Sequence, residues 1–446
     1  MVLFYWLILI MPLENHPIWE LHIGPFTVVK YVGLGCVAYA LAYLPLRKGL
    51  PPLVGTWQAR AFILFFLMAA SSYFTKGNRS TLGIESPFTT YLSFLLLFFV
   101  TLSAVDSPER LRRVLLAAIG SVGFASVYVI REWQKSGFAA GFRPGWVVGD
   151  ANYFTVSAAA CLPLALYLTI VSRARRERLY CLACLTTTLG AIVLGASRGG
   201  LIALTVSCFW LIWQIPNRRK VLAISAFIVT PILVLAPNSP VRRLFHPNWT
   251  DVASTTNHEL IFQAGLRMVR DHPFIGVGLG NFRLRLLDYA GADLRHAFIA
   301  HDAYLEVAGE MGIPALLIYL AMIGFSFRSL TLSRRAAVEQ GLKPLEEAAV
   351  GIKAGLIGSS TAVLFVSGQN TKLYWLMIFL SMLLPALLAA SRSEAKEVTL
   401  VAEDASRDQG DWGAASSPGW LEQPSGASHT SRWVADPRRA VGKEPQ

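Results

Sequence analysis

Apolar residues come in long blocks along this chain, with polar residues gathered between them. Residues 91–105 (YLSFLLLFFVTLSAV), 151–172 and 179–197 hold no charged side chain. Runs of about 20 apolar residues match the hydrocarbon thickness of a bilayer. The pattern predicts spans at roughly 1–12, 24–44, 59–75, 88–105, 112–130, 152–171, 179–196, 199–214, 221–236, 303–326, 350–367 and 373–390. The first and the eighth are short for a crossing. The expected fold is therefore all-α, a polytopic membrane protein of about twelve transmembrane helices. One stretch interrupts the rhythm: residues 237–301 separate spans nine and ten. Loops longer than about 15 residues are usually functional or disordered, and this one is patterned. In 258–270 (HELIFQAGLRMVR), Glu259, Gln263 and Arg267 recur every four residues and Arg270 extends the stripe. That spacing predicts an amphipathic helix, capped by Asn257 and ended by Pro273, lying along the membrane surface or over the spans. Four regions follow: helices one to nine in 1–236, a long periplasmic loop in 237–301, helices ten to twelve in 302–390, and a tail in 391–446. The tail is rich in Gly, Ser, Pro and charge, with 9 acidic and 7 basic residues, and is expected to be cytoplasmic and mostly disordered.

Composition sharpens this picture. Of 446 residues, 54% are hydrophobic and 15% charged, with mean hydropathy +0.47, against about 25% charged in a soluble domain. A soluble enzyme, a β-barrel and a secreted disulfide scaffold are excluded. All five cysteines lie in apolar blocks; Cys181 and Cys184 form a single CxxC inside a span and read as packing residues. The net charge of +12 is spread over many loops, which is an orientation signal and not a nucleic-acid footprint. With the N-terminus inside, inner loops carry 17 basic residues and short outer loops 7, so both termini are expected to be cytoplasmic. Residues 1–11 (MVLFYWLILIM) lack a basic leader and a small-residue cleavage site and read as a short first span.

Ionisable groups inside the spans are scarce; Lys30 and Lys353 snorkel or sit near span ends. Polar groups collect on the outer side. Arg198, in GASRGGL, must lie at the membrane surface or in the mouth of the bundle, where a guanidinium grips phosphate bidentately or simply reaches lipid headgroups. His301 opens span ten in AHDAYLEVAGEMGIPALLIYL and shares a face with Tyr304. It takes a proton from a hydroxyl or is a surface histidine at a helix start; Asp302 orients it or caps the helix. The glycines of DHPFIGVGLGNF (271–282) follow a helix and are too closely spaced for a dinucleotide fingerprint, so they predict a tight turn. In RPGWVVGDANYF (143–154), Asp150 and Asn152 bind sugar or cap a helix. There is no HExxH or P-loop, and no acidic outer pair for a divalent ion. Neither a metal nor a cofactor is expected.

Taken together, SRGG before a span, RMVRDHPFIGVGLGNF in a long outer loop and AHDAYLEVAGEMGIPALLIYL at the next span resemble the O-antigen ligase and polymerase superfamily, most strongly over residues 150–330. The resemblance implies a metal-independent glycosyltransferase of GT-C-like fold. Such an enzyme moves a glycan from a polyprenyl (undecaprenyl) diphosphate carrier to a glycan, lipid or protein hydroxyl at the outer face of the inner membrane. It implies a base or orienting role for His301 and a diphosphate contact for Arg198. Many members carry Arg where this chain has His258; Arg267, Arg270 or protonated His258 then takes the second diphosphate contact, with Tyr304 and Asn152 as further substrate contacts. Many also have Asn where this chain has Asp302. The rival reading is a membrane transporter for inorganic carbon or another small solute, which predicts ionisable groups or broken helices near the midplane; a scaffold for an export complex is a third.

Overall fold

The computed structural model describes residues 1–12, 22–23, 26–43, 55–77, 86–137, 142–145, 151–215, 218–219, 249–291, 294 and 296–414. The ninth expected span, 221–236, and the loop segment 237–248 lie outside the described residues. The described chain is helical apart from one antiparallel ladder of two short strands, β1 (His22–Ile23) and β2 (Phe26–Thr27). The first eight helices are α1 (Val2–Ile10), α2 (Val28–Tyr43), α3 (Trp57–Lys76), α4 (Pro87–Ala104), α5 (Pro108–Lys135), α6 (Ala151–Val171), α7 (Arg175–Gly195) and α8 (Arg198–Trp213). The insertion contributes α9 (Trp249–Asp271) and α10 (Phe282–Ala290), followed by α11 (Ala303–Glu339), α12 (Lys343–Ala362) and α13 (Lys372–Ala414). Among the described residues, six helices are long and apolar enough to cross a membrane: α4, α5, α6, α7, α11 and the Lys372–Ser393 part of α13. The shorter α2 and α8 are also apolar.

Helix starts follow local chemistry. Ser86 and Ser107 accept hydrogen bonds from the Thr89 and Arg110 amides, each with proline at the first helical position. The proline φ suits a first turn, and its missing donor costs nothing there. Thr56 caps α3 in the same way through the Ala59 amide. Packing between helices uses small residues where backbones approach. A Cβ on Gly355 of α12 would stand 2.2 Å from the Ala160 carbonyl oxygen of α6, and one on Gly358 would stand 2.4 Å from that of Ala159; such contacts are open only to glycine. An aromatic core of Phe62, Phe65, Phe94, Tyr319, Trp375 and Phe379 is fully buried between α3, α4, α11 and α13.

Helix α11 is broken. Gly312 takes φ 85° and ψ 171°, and Pro314 follows two residues later. The carbonyls freed by the break are met by the glycine-rich turn of the insertion: the Val277 amide donates to the Gly309 oxygen (2.8 Å) and the Gly278 amide to that of Glu310 (3.1 Å). In return the Ile313 amide donates to the Pro273 oxygen (2.7 Å). Gly276, Gly278 and Gly280 all have positive φ, and a Cβ on Gly276 would stand 2.2 Å from the Glu310 carbonyl carbon. The expected tight turn is there, and its purpose is to lace the insertion to a split helix.

The expected amphipathic helix is also present but longer. It begins by Trp249, so Asn257 lies inside it and is not its cap; the Ser, Thr and Asp of 250–256 are weak helix formers and give little local signal for that start. Ile261, Ala264 and Met268 are buried with Phe282 and Leu286 of α10 and Leu305 of α11, forming a small separate core. The chain divides into two units, residues 1–392 and 393–446. In the second, the backbone stays helical through Ala414, past the expected boundary at Ser391. The Ala, Glu, Lys and Leu of 394–406 are good helix formers, which the Gly, Ser and Pro of the remaining tail mask in bulk composition. Residues 415–446 lie outside the described residues.

Candidate active site

Helix α7 ends with Ala196 in a left-handed conformation (φ 46°), and Ser197 then caps α8 by accepting from the Gly200 amide (3.2 Å). This reversal places Arg198 on the first turn of α8, at the rim of a cavity of about 400 Å³. The two glycines after it are there for packing. A Cβ on Gly199 would stand 2.5 Å from the Phe365 Cβ, and one on Gly200 would stand 2.2 Å from the Thr155 Cγ2. Both glycines therefore make room for protein side chains.

A polar cluster forms the wall beside Arg198. The Ser197 hydroxyl donates to Asn152 Oδ1 (2.8 Å), which also accepts from Arg143 Nη2 (3.4 Å). Arg143 Nε donates to the Gly195 carbonyl oxygen (2.9 Å), so its guanidinium is held in place against the end of α7. Both Arg143 and Asn152 line the cavity. Among the described residues, no hydrogen bond or ion pair engages the Arg198 guanidinium. The N-terminal amides of α8 add positive potential on the same side.

The histidines line the same cavity. His301 has φ 54° and is half-buried; its backbone amide donates to the Ser367 hydroxyl (3.1 Å). Its ring meets the His258 ring of α9 edge to face, with centroids 4.7 Å apart. Asp302 accepts from the Tyr304 (2.8 Å) and Leu305 (3.1 Å) amides, so of its two expected uses it serves as the cap of α11. Burial pushes its carboxyl above the usual range, opposed by those two amide bonds. Ile202, Phe262, Leu364 and Phe365 complete the lining with apolar surface, each more than a third exposed.

Of the residues singled out in the sequence, Arg198, His301, His258 and Asn152 come together in this cavity. Tyr304 does not: its hydroxyl donates to the Ser360 carbonyl oxygen (2.9 Å) and its ring packs on Tyr319 inside the bundle. Arg267 donates to the Tyr289 carbonyl oxygen (2.8 Å), and it and Arg270 are exposed away from the lining. Arg143 had entered only as one basic residue of an outer loop; the signal in hindsight is an arginine before a Pro-Gly turn, nine residues ahead of Asn152. Among the described residues, no three His, Cys, Asp or Glu side chains group closely enough to hold a metal ion.

Residues 182–320 match a family model described as O-antigen ligase. That stretch runs from within α7 to within α11 and contains Arg198, His258 and His301. An O-antigen ligase of Pseudomonas aeruginosa is 26% identical over 305 residues, covering 65% of this chain and 69% of the relative. The family that this chain resembles, across the segment that builds most of the cavity, is that of the O-antigen ligases.

Proposed function

We propose that this chain is a multi-pass membrane glycosyltransferase. It moves a glycan from a polyprenyl (undecaprenyl) diphosphate carrier to an acceptor hydroxyl at the outer face of the inner membrane. One observation carries the reading: two arginines, two histidines and a helix N-terminus converge on a single cavity that also carries the apolar side chains of Ile202, Phe262, Leu364 and Phe365. A diphosphate-linked lipid needs both kinds of surface. Arg198 and Arg143 hold the diphosphate, and Arg143 takes the second contact that the sequence offered to Arg267, Arg270 or protonated His258. Ile202, Phe262, Leu364 and Phe365 receive the first isoprene units. The acceptor is a glycan, lipid or protein hydroxyl.

The chemistry divides between these groups. The acceptor oxygen forms a bond to the anomeric carbon, and the bond from that carbon to the diphosphate oxygen breaks. The electron pair leaves with the diphosphate, where two guanidinium groups and the α8 amides stabilise the added charge. The acceptor proton passes to His301, with His258 beside it. No metal is needed to balance this step. The positive-inside count places both termini in the cytoplasm, and a GT-C-like arrangement of about twelve crossings accommodates the cavity at the outer end.

A deletion strain tests the reading by its surface polysaccharide and its lipid-linked glycan. Loss of polymer, with build-up of the carrier-linked precursor, rescued by wild type but not by His301→Ala or Arg198→Ala, supports it. Single repeat units on the carrier would indicate a polymerase, and long chains a ligase. Normal glycan output from both inserted variants would defeat the assignment, as would unchanged polysaccharide with a defect in solute uptake.

A further inference from the structure

Two carboxylates sit in the first turns of α11, Glu306 and Glu310, both buried. Glu310 accepts from the Phe282 amide (3.1 Å) and so belongs to the lacing of the insertion. Glu306, one turn earlier on the same face, reaches the connection between α12 and α13. It accepts from the Ser367 hydroxyl through one oxygen and from Gln369 Nε2 (2.8 Å) through the other. Ser367 spends its proton on Glu306, which leaves its lone pairs to accept the His301 backbone amide (3.1 Å). Gln369 is fixed in turn, its carbonyl oxygen accepting from Trp375 Nε1 (2.6 Å). The same connection carries Leu364 and Phe365 into the apolar lining and binds the Ala303 amide through the Val363 oxygen (2.9 Å).

The arrangement resolves a conformational difficulty. His301 is one of two described non-glycine residues with positive φ, a region an L-residue occupies only when its surroundings hold it there. The hydrogen bond from its own amide is the contact that anchors this turn, and the acceptor is oriented by a buried carboxylate. A neutral serine facing an apolar neighbour would be free to rotate its lone pairs away from the His301 amide; beside Glu306 it is not.

We propose that Glu306 is a positioning residue for His301, acting through the Ser367 hydroxyl on the His301 backbone. The inference rests on the proposed transfer reaction at the same cavity. It assigns Glu306 no contact with donor or acceptor. Removing the relay lets His301 leave its place while the arginines stay, so turnover falls and donor binding does not.

The test pairs two readouts on the full chain: glycan output in the deletion strain, and binding of undecaprenyl diphosphate to purified protein in nanodiscs. Ser367→Ala and Glu306→Ala are expected to lower output about tenfold to a hundredfold, the range for a lost hydrogen bond to a charged or positioned group. Their undecaprenyl diphosphate affinity stays within about twofold of wild type. Ser367→Thr, which keeps the hydroxyl, restores output, and Glu306→Gln, which keeps one acceptor oxygen, falls between. Wild-type output from Ser367→Ala and Glu306→Ala, alongside an inactive His301→Ala, overturns the inference. So does a parallel loss of affinity and output in both variants with no recovery in Ser367→Thr and Glu306→Gln, because that pattern describes packing. Wild-type output from His301→Ala would instead remove the reading beneath it.

Discussion

Gly199 shows how one missing side chain shapes the cavity. Phe365 occupies the space where its Cβ would be, so Gly199→Ala should push that ring outward and narrow the apolar wall. The expected result is a folded protein with several-fold weaker undecaprenyl diphosphate binding, measured in nanodiscs. Arg143 offers a second test at this scale. Its guanidinium is braced by the Gly195 oxygen and Asn152, and lysine cannot keep both contacts while facing an anion. Arg143→Lys is therefore expected to weaken diphosphate binding about tenfold, a cost of one charge-assisted hydrogen bond; unchanged affinity would remove Arg143 from the donor contacts. Asp302 gives a prediction with a pH axis. Burial raises its folded pKa above the unfolded value, so its contribution is complete below about pH 4 and is lost as pH rises through the raised value. Asp302→Asn keeps a cap acceptor and removes the buried charge. It should raise the melting temperature at neutral pH, with the gain shrinking as pH falls toward the carboxylate range. Arg198 and His301 were legible in the sequence because each sits beside a short, distinctive motif. Arg143 was not, since only the fold brings its guanidinium against the end of α7.

At the scale of elements, the break in α11 and the glycine-rich turn depend on each other. Gly278 has φ 104°, and its Cβ would stand 2.2 Å from the Lys76 carbonyl oxygen. Gly278→Ala should therefore cost about 1–3 kcal/mol of strain and lower the melting temperature, while Gly324→Ala, which meets nothing within 4 Å on the same helix as the break, should not. The starts at Ser86-Pro87 and Ser107-Pro108 carry local signals, a cap and a first-turn proline, whereas the hydropathy pattern alone set the second start at 112. Helix ends could not be read from that pattern. Hydropathy ends at the bilayer, whereas α5 runs on to Lys135 and α11 to Glu339, carried by charged residues that favour helix in water as well. The start of α9 was hidden for the opposite reason: its first turns are polar and poor in helix formers, and the apolar stripe of Ile261, Ala264 and Met268 begins only later.

For the whole molecule, the cavity has a counterpart at the other ends of α7 and α12. Arg112 bridges Glu177 (2.6 Å) and Glu347 (2.7 Å), joining the starts of α5, α7 and α12. With 21 residues at about 1.5 Å each, α7 separates this junction from the cavity by roughly a bilayer thickness. Arg112→Ala should lower the melting temperature and leave undecaprenyl diphosphate affinity unchanged, since hydrogen bonds to charge at that distance are worth about 1.5–3 kcal/mol to folding alone. If the cavity opens outward, a cysteine at Thr255 reacts with a membrane-impermeant maleimide in spheroplasts and one at Glu109 does not; the reverse pattern would invert the topology. The left-handed turn at His301 also sets how this protein would respond to selection for heat tolerance. Glycine holds that conformation without the penalty, about 1 kcal/mol or more, that any L-side chain carries. Variants sorted only for survival at high temperature should therefore drift to glycine at position 301, gaining robustness as they discard the imidazole, so that durability and turnover evolve against one another at this position.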